Sequence, residues 1–123
     1  MKKETKKDEK PLKGELSKAE LDLLTKQYPK LKTLIFCDGD ILDEGNKGVV
    51  YVKNFTRPLY EAILKLQDEK ASKLTQAEWV LRNLRVGGMT ADEIINDIDW
   101  LKNFANVARA LFFTYYGDIK KNL

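Results

Sequence analysis

The spacing of apolar residues changes at a few sharp points along this chain, and each change predicts a new element. Residues 1–14, MKKETKKDEKPLKG, hold Leu12 as the only apolar side chain beyond Met1. Such a segment cannot bury enough surface to offset the entropy of ordering it. Residues 1–15 are therefore expected to form a disordered, mixed-charge arm, and 16–123 a single domain. The first periodic signal is LSKAEL, where Ser17 can cap a helix and Glu20, three positions on, can close a capping box. Leu16 and Leu21 flank that box as a hydrophobic staple. A helix over about 18–28 follows, with Leu21, Leu24 and Tyr28 on one face, and Pro29 disfavours its continuation.

The period then shortens. In KTLIFCDGDILDEGNKGVVYVKNF, Leu34 to Cys37 reads as a short strand, and Gly48 to Phe55 as a second, rich in β-branched and aromatic residues. Asp38-Gly39 and Gly45-Asn46 between them are turn formers. The pattern predicts a hairpin or small antiparallel sheet, with Ile41-Leu42 as one extra short strand.

After TRP the helical period returns. Pro58 suits a first helical turn, and Leu59, Ala62, Ile63 and Leu66 share a face through about residue 70. LTQAEW predicts a next helix capped by Thr75, with Glu78 closing the box and Leu74 and Trp79 as staple. Ala77, Val80, Leu81 and Leu84 supply its stripe. RVGGMT, residues 85–90, invites two readings: a backbone loop that grips an anion, or a stop and restart between helices. The second accounts for more residues. Gly87 would end one helix in a left-handed turn, Gly88 would let the chain reverse, and Met89, Thr90 and Glu93 would open the next. That last helix is expected from about 91 to 116, ending at Gly117, with acids in its first turns and Lys120 and Lys121 after its end, as the helix dipole favours.

The order α-β-β-α-α-α places the chain in the α+β class: a small antiparallel sheet packed with a mainly helical C-terminal bundle. Its 123 residues are the size of one domain. The net charge of +3 is unevenly placed. Residues 1–20 hold seven lysines against five acids, leaving 15 basic and 14 acidic residues for the remainder. A basic stripe of the kind that binds nucleic acid is therefore not expected. No apolar run reaches the roughly 18 residues that a membrane helix needs, and membrane partners are not expected. One cysteine, Cys37, makes no intrachain disulfide and suits a reducing compartment.

Candidate chemistry is thin. LIFCDGDILDEGN resembles the paired aspartates of haloacid-dehalogenase phosphatases, but Ile41-Leu42 stands where those enzymes carry Gly-Thr, and the chain lacks room for their large α/β core. A calcium loop starting at Asp38 would need Asp or Asn at 42, Gly at 43 and Glu at 49; the sequence has Leu42, Asp43 and Val49. The acids read instead as a charged, solvated turn. There is no histidine, which removes the commonest general base and zinc ligand. Neither an enzyme nor a cofactor is expected.

The last helix carries more. At 100° per residue, with Ile94 as the origin, its apolar arc spans about 180°, wider than the little over 100° that packing on one face requires. One reading is a central helix touched on two sides by its own bundle. The other is a face near Trp100, Phe104 and Leu111 meant for another chain, with Ile95 and Phe113 exposed on the opposite side unless a partner or a second copy covers them. These five are the candidate partner-binding residues.

Three stretches taken together, VVYVKNFTRPLYEAILKL, AEWVLRNLRVGG and TADEIINDIDWLKNFANVARALF, give a strand, a basic-Pro junction, a short helix ending in glycines and a long helix with an acidic start. That order, over about residues 49–116, resembles small bacteriophage tail-assembly-chaperone-like proteins. The resemblance implies a non-enzymatic role in virion morphogenesis: binding the tape-measure protein and recruiting tail-tube subunits in the host cytoplasm. The alternatives are a small virion structural component or a nucleic-acid-associated regulator. The resemblance transfers no binding residues, and a homo-oligomer is compatible with it.

Overall fold

A computed structural model describes residues 11–112. Its elements are α1 (Lys18–Gln27), β1 (Lys32–Cys37), β2 (Lys47–Val52), α2 (Arg57–Asp68), α3 (Lys73–Asn83), β3 (Arg85–Gly88), α4 (Ala91–Ile95) and α5 (Ile98–Ala108), followed by a 3-10 turn, Arg109–Phe112. The fold is α+β, as the pattern predicts, with one strand more than the hairpin.

The sheet runs β1-β2-β3 and is antiparallel throughout. Ile35 pairs with Val49 and Phe36 with Gly48, while Val50 pairs with Gly88 and Val52 with Arg85 across a bulge at Tyr51/Val52. Alternation sorts the side chains. Leu34, Phe36, Val50 and Val52 face the main core, where α3 with its cap and α5 supply Val80, Leu84, Trp100 and Phe104. The Phe36 ring stands edge-on to both Trp100 (5.5 Å) and Phe104 (5.2 Å). On the other face Val49 and Tyr51 are also buried. There the Tyr51 hydroxyl accepts a hydrogen bond from the Leu16 N–H at 3.3 Å.

RVGG is β3, which corrects the expectation of a helix stop. The preceding helix already ends at Asn83, with Leu84 as its right-handed cap. Gly87 is a strand residue without a positive φ; Gly88 carries it, at 91°. A Cβ at Gly88 would lie 2.4 Å from the Val49 carbonyl oxygen. Both features require glycine there. The Arg85 guanidinium donates to the backbone carbonyls of Met89 and Gly88, the latter at 2.9 Å, and so ties off its own turn. The basic group is engaged with the chain's own backbone.

Three helix starts were legible and one was misplaced. Ser17 and Thr90 each close a complete capping box, with Glu20 and Glu93 respectively. Pro58 sits in the first turn of α2. The third cap is Ser72, three residues before the expected Thr75: its side chain accepts the Thr75 N–H at 3.1 Å. Lys70, at φ 62°, turns the chain early enough to bring Ser72 into place.

The expected long helix is two. Asn96 caps the end of α4, and Asp97 starts α5 by accepting the Asp99 N–H at 3.0 Å. Short polar side chains compete with helical hydrogen bonding in this way. The single apolar arc drawn from Ile94 to Phe112 therefore does not exist as one surface. The expected stop at Gly117 lies outside the described residues.

Sheet contacts begin earlier than residue 16. Lys13 forms a parallel bridge to Gly48: its N–H donates to the Lys47 carbonyl (2.9 Å), and its carbonyl accepts from Val49 (3.0 Å). Lys13 thus adds an isolated bridge to β2 on its β3 side. The Lys13 ammonium lies 5.9 Å from the Trp100 ring centroid and 3.4 Å from a Glu93 carboxylate oxygen. A Cβ on Gly14 (φ 86°) would fall 2.4 Å from the Met89 nitrogen, so a glycine permits this crossing.

Candidate functional site

The five residues expected to meet a partner are mostly spent on the chain's own core. Phe104 is 0% and Trp100 5% exposed. Ile95 and Leu111 are half-buried against the same cluster. Phe113 lies outside the described residues. The residues of the expected arc are divided between two helices, and the buried ones of each pack into the chain's own core.

The exposed apolar surface stands elsewhere. Ile41 is 99% and Leu42 93% exposed, side by side at the apex of the β1–β2 connection. They do not form the extra strand expected from their sequence. Their backbone is a tight, internally bonded loop built by the acids around them. The Asp38 carboxylate accepts the Asn46 N–H at 2.7 Å. One Asp40 carboxylate oxygen accepts from Leu42 (2.9 Å) and Asp43 (3.1 Å), and the Asp43 carboxylate accepts from Gly45 (3.0 Å). The Asp40 N–H in turn donates to the Asp43 carbonyl at 2.9 Å. These are the self-closing turns that aspartate favours. Gly45, at φ 69°, completes the return.

One long-range contact fixes the loop to the body. The Asn103 side-chain amide on α5 donates to the carbonyls of Cys37 and Gly39, both at 2.9 Å, and of Asp99 at 3.1 Å. Beside the loop runs an open groove of about 600 Å³, lined by Cys37, Ile41, Leu74, Lys102 and Asn103 among others. An adjoining acidic depression of about 340 Å³ is bordered by Asp38, Asp40, Asp43 and Asp99, with Lys102 on its rim.

The carboxylates are directed largely at backbone N–H groups, and no group of three or more His, Cys, Asp or Glu among the described residues has metal-site geometry. No helix among the described residues is long and apolar enough to cross a membrane. What the arrangement offers chemically is a rigid aliphatic pair in a ring of negative charge. Sequence reasoning had a signal for it, since Asp-Gly and Gly-Asn bracket the pair and leave little length for a strand. It had none for Asn103, whose partners in the loop lie more than 60 positions away. No protein-family model, curated protein or solved structure matches this chain.

Proposed function

We propose that this protein is a non-enzymatic binding module whose docking element is the Ile41-Leu42 apex, and that it acts as an assembly chaperone in bacteriophage tail morphogenesis. The observation that carries the binding reading is the near-complete exposure of two adjacent aliphatic side chains on a loop whose bends are held by side-chain hydrogen bonds. Burying an aliphatic side chain contributes about 1.5–3 kcal/mol. A loop already fixed in shape loses little of that gain to ordering on binding. The surrounding Asp38, Asp40, Asp43 and Glu44 favour a partner with an apolar pocket and a basic rim. They disfavour an anionic lipid surface or a nucleic acid.

The order of strand, basic-Pro junction and helices that resembles tail-assembly chaperones supports the biological setting: a tape-measure protein and tail-tube subunits as partners, met in the host cytoplasm. The test is affinity purification of the full chain from infected cells, paired with the Ile41→Ser/Leu42→Ser double variant and with protein analysis of purified virions. The reading expects the tape-measure protein to co-purify with the wild type, to be lost with the double variant, and the chain to be absent from the particle. Stoichiometric presence in virions would establish a structural component instead. Capture undiminished by the double variant would remove the apex as the docking element.

A further inference from the structure

We propose that the chain associates with a second copy of itself by antiparallel pairing of β1 along its open edge, joining two three-stranded sheets into one of six. Among the described residues β1 has a neighbour on one side only, β2. The hydrogen-bond phase of that pair follows from its continuation into the loop, where the Asp38 N–H donates to the Asn46 carbonyl at 3.0 Å. In an antiparallel ladder successive residues point their N–H and C=O to opposite sides. Even-numbered positions of β1 therefore face β2, and Thr33, Ile35 and Cys37 face outward. The Cys37 carbonyl is engaged by Asn103. No described residue bonds the outward groups of Thr33 or Ile35. A run of unpaired strand edge is a template for another strand, and chains that avoid this use place a charge, a proline or a bulge in its middle. Here the middle is Ile35, 50% exposed.

Charge selects the occupant. Lys30 and Lys32 precede the apolar run of β1, and Asp38 and Asp40 follow it. None of the four takes part in an ion pair among the described residues. A two-fold axis through Ile35 sets Ile35 against its own copy, Thr33 opposite Cys37 and Lys32 opposite Asp38, with Lys30 and Asp40 in the turns just beyond the strand ends. Each end of the strand then meets its opposite charge, twice over by symmetry. A parallel arrangement would set lysines against lysines and aspartates against aspartates. The strand is thus complementary to itself in the antiparallel sense alone. Six residues a side make a small interface, at the weak end of specific association, so the dimer is expected to be concentration- and salt-dependent.

The experiment is sedimentation velocity of the full chain across a concentration series at low and high salt, with three variants. Wild type should shift from monomer to dimer as concentration rises, and the shift should weaken with salt. Ile35→Lys sets like charges face to face on the axis and should weaken the dimer by about tenfold or more. Thr33→Pro removes an outward N–H without touching the β2 ladder and should act in the same direction even if Ile35→Lys folds poorly. In a Cys37→Ser background, Ile35→Cys should form an interchain disulfide on mild oxidation, because directly opposed residues of a hydrogen-bonded antiparallel pair have Cα atoms about 5.5 Å apart, within disulfide reach. A wild type that stays monomeric throughout, or a dimer indifferent to Thr33→Pro and without the Ile35→Cys crosslink, would overturn the proposal. Loss of partner capture by the Ile41→Ser/Leu42→Ser variant with the dimer intact would separate this surface from the docking apex.

Discussion

Asn103 on α5 donates its side-chain amide to the carbonyl of Gly39 at 2.9 Å, across 64 positions of sequence. The same amide reaches the Cys37 carbonyl, so one side chain tethers the start of the exposed loop to the helix beneath it. Asn103→Ala removes that tether and should cost about 1 kcal/mol in denaturant unfolding, the usual net worth of such a bond. It should also weaken partner capture, although Ile41 and Leu42 are untouched, because a loosened loop must be ordered on binding. Capture at wild-type strength with reduced stability would show that the loop needs no tether.

Gly87 and Gly88 look interchangeable in sequence and are not interchangeable in the fold. Gly88→Ala forces a side chain onto a φ of 91° and against the Val49 carbonyl. The expected loss is about 2 kcal/mol or more. At Gly87 an added Cβ would be no closer than 3.2 Å to any neighbour, the nearest being side-chain methyls of Leu24 and Leu16. Gly87→Ala should therefore cost well under half as much. Chemical-denaturation midpoints of the two variants decide the matter, and equal losses would contradict the assignment of the left-handed position to Gly88.

That pair also marks where the sequence stopped being readable. Local chemistry announced itself: Ser17 and Thr90 cap as their Glu partners three positions on imply, and Pro58 opens its helix. The class followed from the change of apolar period. What could not be read locally was pairing. Arg85 to Gly88 carries two glycines and one β-branched residue, a poor strand by propensity, and is a strand only because β2 offers it a ladder. Lys13 is in the same position, a residue from a polar arm given order by the Lys47 and Val49 backbone. The burial of the candidate partner residues likewise depends on tertiary packing. Asn96-Asp97 divide the expected last helix, and Trp100 and Phe104, open in sequence to either core or partner, close over Phe36 in the core. Ile41-Leu42, apolar residues between two strands, read as sheet by pattern, and the aspartate-closed turns around them set them outside it.

The start of α3 distinguishes two residues three apart. Ser72 is the cap that accepts the Thr75 N–H, and Thr75 lies inside the first turn. Ser72→Ala should lower stability by about 1 kcal/mol, while Thr75→Ala should change it by no more than a few tenths. Thermal melts of the two single variants are sufficient. The reverse order would restore the cap to Thr75.

Glu93 gives the fold a pH dependence of known sign. Its carboxyl is held below the usual carboxylate range, first by the hydrogen bond from the Thr90 backbone N–H and then by the Lys13 ammonium, against the upward push of partial burial. A carboxyl whose folded value is depressed adds stability above its unfolded value, and that contribution is lost as the pH falls through the folded value. The ion pair is substantially solvent-exposed, so its share is screened by salt and small. Glu93→Gln retains an acceptor for the Thr90 N–H but no charge. It should cost about 0.5–1 kcal/mol at neutral pH from the lost charge at the helix N-terminus. The gap between wild type and variant should close in acid, where the wild-type carboxyl is also neutral. Unfolding curves at stepped pH measure that gap directly, and a difference that stays constant into acid would show that the charge of Glu93 contributes nothing and that its value lies in shape alone.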